Sequence, residues 1–278
     1  MQSEETQQIS RQSPQQKSDP EFIRISNLSK DFGAGQSKRN ILNNISFTVA
    51  KGSFLSILGA SGCGKSTLLQ IIAGLQSAGS GTVALGDKVI EKPPFEMLYL
   101  FQQYTKSIFP WLTVADNIAF GMTSRRKWSK REIAERCERM ICLVGLEGYG
   151  QYFPGQLSGG MQQRVAIARA LACEPDVLLM DEPFSAVDAM TRASLQDLVL
   201  KLWADLGLTI LFITHDIEEA VYLSDRVLML HRAPKNMALD IAIDLPYPRE
   251  HLSTPELPAF LEYRHRLYEE IYHVEGVH

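Results

Sequence analysis

Short apolar runs near the N-terminus of the chain are typical of β-strands. Apolar residues at strand-like spacing occupy Phe22 to Leu28, Ile41 to Val49, Ser53 to Leu58 and Val83 to Ile90. A helix-like run, Thr67 to Ala73, follows the third of these strands. We therefore expect an antiparallel β layer wrapped around the strand from Ser53 to Leu58.

From Leu157 onward, helix-like and strand-like runs alternate regularly along the chain. The predicted helices are Met161 to Leu171, Ala189 to Leu206 and Ile217 to Leu223. The predicted strands between and after them are Val177 to Met180, Thr209 to Thr214 and Arg226 to Leu230. Such alternation is typical of a parallel sheet with helices on its faces, so the sequence predicts an α/β fold.

The middle and the end of the chain have helical periodicity. Between about Gln103 and Gly155 we expect a helical insertion, in which one apolar face contains Ile133, Cys137, Met140, Ile141 and Val144. The last predicted helix has one apolar face that most simply packs on its own domain, formed by Leu257, Phe260, Leu261, Leu267, Tyr268 and Ile271.

Composition divides the chain into a tail and one domain. Residues 1–20 are rich in Gln and Ser and have almost no large apolar side chain, so we expect a disordered extension. Residues 21–273 are predicted to form a single domain, with a helical subdomain over about 103–172. A basic run follows the first part of the insertion, and it is read as a solvated loop, with lipid contact as the alternative: Arg125, Arg126, Lys127, Lys130 and Arg131.

Charge and hydropathy narrow the class of protein. The formal net charge is -4, which argues against nucleic acid as a partner, because nucleic-acid-binding domains are usually basic. No run approaches 18 apolar residues and the N-terminus is polar, so we expect a soluble, cytoplasmic protein. The four cysteines are Cys63, Cys137, Cys142 and Cys173. They form no C-x-x-C pair, so we expect neither structural disulfides nor a zinc site.

A glycine-rich segment between the predicted strand at Ser53 and the helix at Thr67 fits the phosphate-binding pattern G-x-x-x-x-G-K-[ST]. Its residues are Gly59, Ala60, Ser61, Gly62, Cys63, Gly64, Lys65, Ser66 and Thr67. Glycines let backbone N–H groups curl around a polyphosphate, Lys65 supplies a positive charge, and the Ser66 hydroxyl can ligate Mg²⁺. The segment predicts a bound nucleotide, and ATP with Mg²⁺ as its cofactor.

Two carboxylates stand at the end of the predicted strand from Val177 to Met180. A buried strand would place Asp181 rigidly where it can hold the hydration shell of Mg²⁺. Glu182 follows directly and can polarise the attacking water. A polar turn after an ordinary strand is the alternative, and the preceding phosphate-binding segment makes it the weaker one.

A third motif opens the predicted helix at Met161. The residues Leu157 to Arg164 read LSGGMQQR, in which Ser158 is a good N-cap and Gly159 and Gly160 leave backbone N–H groups open to an anion. This octapeptide resembles the signature of the ATP-binding cassette (ABC) ATPases. The resemblance extends from Phe22 to about His273 and implies a P-loop NTPase core.

The resemblance implies roles for further residues. Gln102 matches the glutamine that reaches Mg²⁺ and the attacking water, and Asp188 lies in a segment that resembles the D-loop. His215 matches the switch histidine that contacts the γ-phosphate and positions water beside Glu182. Phe32 takes the place of the aromatic residue that stacks on adenine, with packing inside the β layer as its alternative.

The resemblance also implies partners for the chain. In this family two chains sandwich two ATP molecules, so a homodimer is expected, with Ser158, Gly159, Gly160 and Gln162 of one chain facing the phosphate-binding segment of the other. A transmembrane permease is the second expected partner, which places the chain peripherally at the cytoplasmic face of the inner membrane. A periplasmic or surface solute-binding protein is an indirect partner.

Two segments resemble the bacterial importers of nitrate, sulfonates and taurine. They are Tyr104 to Val114, which contains Phe109, Pro110 and Trp111, and Leu245 to Arg249. The shorter segments Glu218 to Ala220 and Leu223 to Arg226 resemble the same subunits. The resemblance implies permease docking near Phe109 to Trp111, with core packing of the insertion as the alternative. An exporter subunit and a soluble non-transport ATPase are the remaining alternatives. If the Cys63 thiol is exposed, alkylation is expected to inhibit and ATP to protect.

Overall fold

The computed structural model describes residues 19–33, 37–102, 107–125, 128–185 and 187–275. Most of the predicted tail, Tyr104 to Lys106 of the importer-like segment, Arg126 and Lys127 of the basic run, and Ala186 of the segment that resembles the D-loop lie outside these ranges. Two sheets form the centre of the protein, one with six strands and one with four. In the described residues no helix is long and apolar enough to cross a membrane.

The six-stranded sheet carries the phosphate-binding segment. Its strands are β3 Phe54–Gly59, β6 Met97–Leu100, β7 Val177–Asp181, β8 Thr209–Thr214, β9 Arg226–Leu230 and β10 Met237–Ala242. They lie in the order β10-β9-β3-β8-β7-β6, and they are parallel except for β10, which runs antiparallel to β9.

Alternate residues of the central strands enter two different apolar cores. In β3, Phe54 and Leu58 join the core on the side of the helical insertion, whereas Leu55 and Ile57 join the core beneath the second sheet. Strand β8 repeats the pattern, with Phe212 in the first core and Ile213 in the second. Both faces of the sheet are therefore covered, which explains why these strands read as nearly continuous apolar runs.

The four-stranded sheet is antiparallel and packs through the second core. Its order is β2-β1-β4-β5, with β1 Ile23–Phe32, β2 Arg39–Val49, β4 Ser80–Leu85 and β5 Lys88–Val89. The prediction of one strand from Val83 to Ile90 is wrong. Gly86, at a φ of 55°, turns the chain so that Lys88 pairs back onto Leu85.

Seven helices occupy the described part of the chain. They are α1 Lys65–Ile72, α2 Val114–Arg125, α3 Lys130–Leu143, α4 Gly159–Leu171, α5 Ala189–Leu206, α6 Ile217–Leu223 and α7 Pro258–Glu275. Helices α2, α3 and α4 contact one another, as expected of a helical insertion. Helix α3 begins at a capping box in which Ser129 and Glu132 satisfy each other's backbone N–H groups.

Strands β6 and β10 were absent from the sequence prediction. Strand β6 has only four residues, and β10 combines small, acidic and apolar residues without a clear period. Both are edge strands, held by one neighbour each. Pairing with β7 and β9 therefore decides their conformation, and such tertiary pairing leaves little trace in the local pattern.

Candidate active site

The phosphate-binding segment connects the end of β3 to the start of α1 and depends on glycine at two positions. A Cβ atom at Gly59 would lie within 3.0 Å of the Leu230 carbonyl oxygen. Gly64 caps α1 with a φ of 102°, and a Cβ there would lie 2.8 Å from Leu42 Cδ2. Only glycine fits both the conformation and the space, so the chain turns tightly enough to leave its N–H groups around an anion.

Lys65 is buried within this turn. Its Nζ atom donates to the carbonyl oxygens of Gly59 at 2.6 Å and Ala60 at 3.1 Å. These bonds fold the side chain back over the segment and offset the cost of burying the ammonium group. The positive charge thus lies beside the glycine turn, where a polyphosphate would bind.

Asp181 ends β7 and faces the start of α1. Ser66 Oγ donates to its Oδ1 at 3.0 Å, and the Tyr99 hydroxyl donates to its Oδ2 at 2.8 Å. Burial raises the pKa of Asp181, and the bonds from Tyr99 and Ser66 oppose that rise. The Ser66 hydroxyl and the Asp181 carboxylate thus offer two oxygen atoms 3.0 Å apart, of the kind that could hold Mg²⁺.

Glu182 brings together the residues predicted to act in hydrolysis. Its Oε2 lies 3.3 Å from Gln102 Nε2 and 3.3 Å from His215 Nδ1, and its Oε1 lies 4.0 Å from Lys65 Nζ. The backbone of Glu182 has a φ of 43°, a left-handed conformation that is uncommon outside glycine. Such strained residues cluster at functional sites.

A cavity of about 380 Å³ lies over the glycine turn. Phe32 forms part of its wall with 44% of the residue exposed, so its ring is available for stacking. The other lining residues are Ile41, Ser61, Gly62, Gly64, Lys65, Ser66, Thr67, Gln102 and Glu182. One concave site therefore combines the glycine turn, an aromatic face and the Glu182 cluster.

The predicted signature residues lie at the start of α4 and do not line this cavity. Ser158 Oγ accepts the Met161 N–H at 3.3 Å, which confirms the N-cap geometry. Gln162 donates to the carbonyl oxygens of Pro154 and Leu157 at 3.0 and 3.3 Å, so its side chain holds the preceding loop. Gly159 is exposed and would leave a Cβ in open space.

Asp188 is the N-cap of α5. Its Oδ1 accepts the Thr191 N–H at 3.0 Å, and this hydrogen bonding lowers the pKa of the carboxyl group. Like the signature residues, Asp188 is separate from the cavity. Within one chain, the structure thus assembles the phosphate-binding turn and the Glu182 cluster, but leaves Asp188 and Ser158 to Gln162 elsewhere.

The condition attached to the alkylation prediction, an exposed Cys63 thiol, is not met. Cys63 is 1% exposed, and burial raises its pKa despite the nearby charge of Lys65. Its side chain packs into the core that contains Leu68 and Leu69. The Cys63 side chain is therefore unavailable to the nucleotide, and only the Cys63 backbone can contribute to nucleotide binding.

The sequence analysis assigned no role in the site to Tyr99 or Glu219. Tyr99 lies in the unpredicted strand β6 and binds Asp181, as described above. Glu219 is buried on α6 and accepts hydrogen bonds from Thr214 and Gln196, close behind His215. For Glu219 a signal existed, because a glutamate four residues after His215 falls in a helix that is otherwise mostly apolar.

Phe109, Trp111 and Phe120 form an aromatic patch at the start of the helical insertion. The Phe109 ring lies 5.4 Å from the Trp111 ring and 4.6 Å from the Phe120 ring, centroid to centroid. Trp111 is 70% exposed. Core packing therefore does not account for Trp111, although Phe109 is half-buried.

Comparisons with known proteins agree with these features. The family model described as ABC transporter matches residues 42–185. An uncharacterized ABC transporter ATP-binding protein of Methanocaldococcus jannaschii is 45% identical over 88% of this chain and 89% of its own length. The aliphatic sulfonates import ATP-binding protein SsuB of Bacillus cereus is 43% identical over 83% of this chain and 90% of its own.

A solved structure has the same fold. It is a dimer of an ATP-binding cassette in a post-hydrolysis state, bound to ADP and Pi. Its TM-score is 0.70 at 30% identity, and the match covers 81% of this chain and 100% of that one. The chain therefore belongs to the ABC transporter family, as an ATP-binding cassette that hydrolyses ATP.

Proposed function

We propose that this ATPase energises a bacterial ABC importer of a small anion such as nitrate, a sulfonate or taurine. The catalytic half of the proposal rests on one observation, the meeting of Lys65, Gln102 and His215 around Glu182 beside the glycine turn. The transport half draws on the 43% identity to an aliphatic sulfonates import protein. Nitrate and simple sulfonates carry a net negative charge, and taurine shares the sulfonate group but adds an ammonium group.

Glu182 is the proposed general base. Its carboxylate is held between the His215 ring and the Gln102 amide, so it can accept a proton from a water molecule placed over the γ-phosphate. The left-handed backbone at Glu182 directs the chain away from β7 just after Asp181, which lets the two adjacent carboxylates serve different partners. Lys65, whose Nζ is bonded to carbonyl oxygens of the glycine turn, neutralises phosphate charge there.

Ser66 and Asp181 are the proposed Mg²⁺ ligands, and Gln102, which lines the same cavity as Ser66, is the proposed third. When bound, the metal supplies positive charge that stabilises the phosphate oxygens. The chain contributes a fixed geometry, because the Tyr99 hydroxyl orients the Asp181 carboxylate from its other side. Phe32 is proposed to stack on adenine at the edge of the cavity.

A second copy of the chain is proposed to complete each nucleotide site. Gly159, Gly160 and Ser158 lie outside the cavity of their own chain, yet they begin a helix whose free N–H groups suit an anion. The dimeric ATP-binding cassette to which the chain is similar supports this arrangement. Asp188, at the start of α5, belongs to the same proposed interface.

The aromatic patch is the proposed contact with the transmembrane permease. Trp111 offers a large apolar surface beside the partly buried Phe109, a combination typical of interface hot spots. Docking there places the chain peripherally at the cytoplasmic face of the inner membrane. A periplasmic or surface solute-binding protein then delivers the anion to the permease.

Replacement of Glu182 by Gln tests the catalytic proposal. Glutamine keeps the hydrogen bonds to neighbouring groups but is far less basic, so we expect hydrolysis to fall by at least about 100-fold while ATP binding persists. Steady-state ATPase activity and ATP affinity measure the two effects, and size-exclusion chromatography with ATP detects a trapped dimer. Hydrolysis at the wild-type rate would refute the assignment of the base.

Reconstitution tests the transport proposal. The cassette co-purified with its native permeases is placed in liposomes, and its ATPase rate is measured with the solute-binding protein and nitrate, taurine, an alkanesulfonate or cyanate in turn. Stimulation that needs both binding protein and anion supports import. Stimulation by nucleic acid instead, or an absence of any response to the binding protein, contradicts it.

A further inference from the structure

Glu219 is a carboxylate buried in the protein interior on α6. It is 8% exposed, and its Oε1 accepts the Gln196 amide of α5 at 2.9 Å. Its Oε2 accepts the Thr214 hydroxyl at the end of β8. One buried side chain therefore joins a strand and two helices through neutral hydrogen-bond donors.

The backbone around His215 is tied to the same network. Thr214, the residue before His215, also accepts the Asp216 N–H on its hydroxyl oxygen at 3.0 Å. The Asp216 carboxylate in turn accepts the Glu219 N–H at 3.1 Å. The residues on both sides of His215 are thus fixed, whereas the His215 ring itself remains 63% exposed and close to Glu182.

Burial of this carboxylate is not the simplest way to stabilise the fold. Burial raises the pKa of Glu219, which reflects the cost of desolvating its charge. An apolar side chain of similar volume would avoid that cost at the contact between α5 and α6. A geometric task at the turn that carries His215 accounts for the glutamate better than packing does.

We propose that Glu219 is a positioning residue, which holds the turn carrying His215 against α5 and thereby sets the distance between His215 and Glu182. This inference rests on the proposed roles of His215 and Glu182 in hydrolysis. Glu182 and Glu219 both line a small cavity of about 50 Å³, but Glu219 is not among the residues that line the larger cavity over the glycine turn. It acts through the backbone and not on the reacting atoms.

The first test replaces Glu219 by Ala and by Gln. We expect Glu219→Ala to lower kcat about tenfold and to leave KM for ATP within about twofold, because His215 is displaced but the glycine turn is untouched. Glu219→Gln can still accept from Gln196 and donate to the Thr214 hydroxyl, so it should recover most of kcat. Equal activity of Glu219→Ala and wild type overturns the proposal.

Tyr222→Phe is a matched control for loosened packing. The Tyr222 hydroxyl also bridges α6 and α5, through Asp197 at 3.1 Å, but it does not contact Thr214. We expect this variant to keep wild-type kcat. If Tyr222→Phe loses as much kcat as Glu219→Ala, the effect comes from the α5–α6 contact in general and the proposal fails. Thermal unfolding of the ATP-free proteins is recorded for each variant.

Combination with His215→Ala separates this inference from the function on which it rests. If Glu219 acts through His215, single-turnover hydrolysis by the double variant equals that of His215→Ala alone. If the losses of the two single variants multiply in the double variant, the positioning role of Glu219 is overturned, while His215 remains a catalytic residue. Wild-type hydrolysis by His215→Ala itself refutes the proposed role of His215 instead.

Gln196→Met gives the same test without removing the carboxylate. Methionine keeps the volume of the side chain but removes the amide donor to Glu219 Oε1. We expect a smaller loss of kcat than in Glu219→Ala, again at nearly constant KM. If Glu219→Ala does not fold, this variant decides the question, and an unchanged kcat then overturns the proposal.

Discussion

Gly160 at the start of α4 lies against α5, and its replacement by Ala is a stringent test of this packing. A Cβ atom at Gly160 would lie less than 3.0 Å from Thr191 Cγ2, closer than Cβ atoms pack in proteins. Thr191 cannot easily move aside, because β-branched side chains have few χ1 choices and its N–H is bound to Asp188. The added methyl group must therefore push α4 and α5 apart.

The neighbouring Gly159 supplies a matched control from which the magnitude follows. Both glycines begin the same helix, but a Cβ at Gly159 meets nothing within 4 Å. The gain in helix propensity from Gly to Ala, about 0.5–1 kcal/mol, is shared by both variants and cancels in their difference. What remains is the cost of overpacking at Gly160, about 1–3 kcal/mol.

Urea unfolding of the ATP-free protein measures this difference. We expect Gly160→Ala to have a free energy of unfolding about 1–3 kcal/mol below that of Gly159→Ala. Thr191→Ser removes Cγ2 and should recover most of the free energy of unfolding that Gly160→Ala loses. On its own, Thr191→Ser should lower the free energy of unfolding only slightly. Equal stability of the two alanine variants would refute the packing argument.

Two further predictions concern buried groups. Cys63 should be alkylated slowly whether or not ATP is present, whereas the exposed Cys142 should be alkylated first. Mass spectrometry of the alkylated protein measures both rates. Rapid labelling of Cys63 that ATP blocks would contradict its burial. Burial raises the pKa of Glu219 from its ordinary value of 4.5. The hydrogen bonds from Thr214 and Gln196 and the charge of Arg192 oppose this rise, and the charge of Asp216 adds to it. The contribution of protonated Glu219 to folding stability is fully present below pH 4.5 and is lost as the pH rises through the folded-state pKa. In thermal unfolding, Glu219→Gln should therefore gain stability relative to wild type as the pH is raised from acidic to neutral. A stability difference that does not change with pH would contradict this.

The sequence predicted the four inner strands of the six-stranded sheet and the phosphate-binding turn for clear physical reasons. Strands buried on both faces, such as Thr209 to Thr214, read as uninterrupted apolar runs, and their alternation with helices indicated parallel pairing. The glycines at 59 and 64 reflect local backbone geometry, which is readable directly from residue type. Features that depend on strand burial or on local backbone geometry could therefore be predicted from the neighbouring residues.

Features that depend on distant contacts could not be predicted in the same way. The burial of Cys63 results from the side of the turn on which its thiol falls, and nothing in the neighbouring residues specifies that side. Tyr99 orients Asp181 across 82 positions of sequence, from a strand too short to leave a periodic pattern. The left-handed backbone of Glu182 is held by the surrounding sheet, since the residue type itself disfavours it.

The two signature glycines, which sequence reasoning treated alike, have different physical explanations. Contact with Thr191 requires Gly160 to lack a side chain, so the fold of a single chain accounts for it. Gly159 has free space around its Cβ position, and the helix that it begins would be more stable with alanine. Nothing within the described part of its own chain requires glycine there. A nucleotide bound to a second copy would require it, because its phosphates could then approach the backbone N–H groups of α4 closely. On this argument Gly159→Ala should fold normally yet hydrolyse ATP poorly, and a normal ATPase rate in that variant would count against a site shared between two chains.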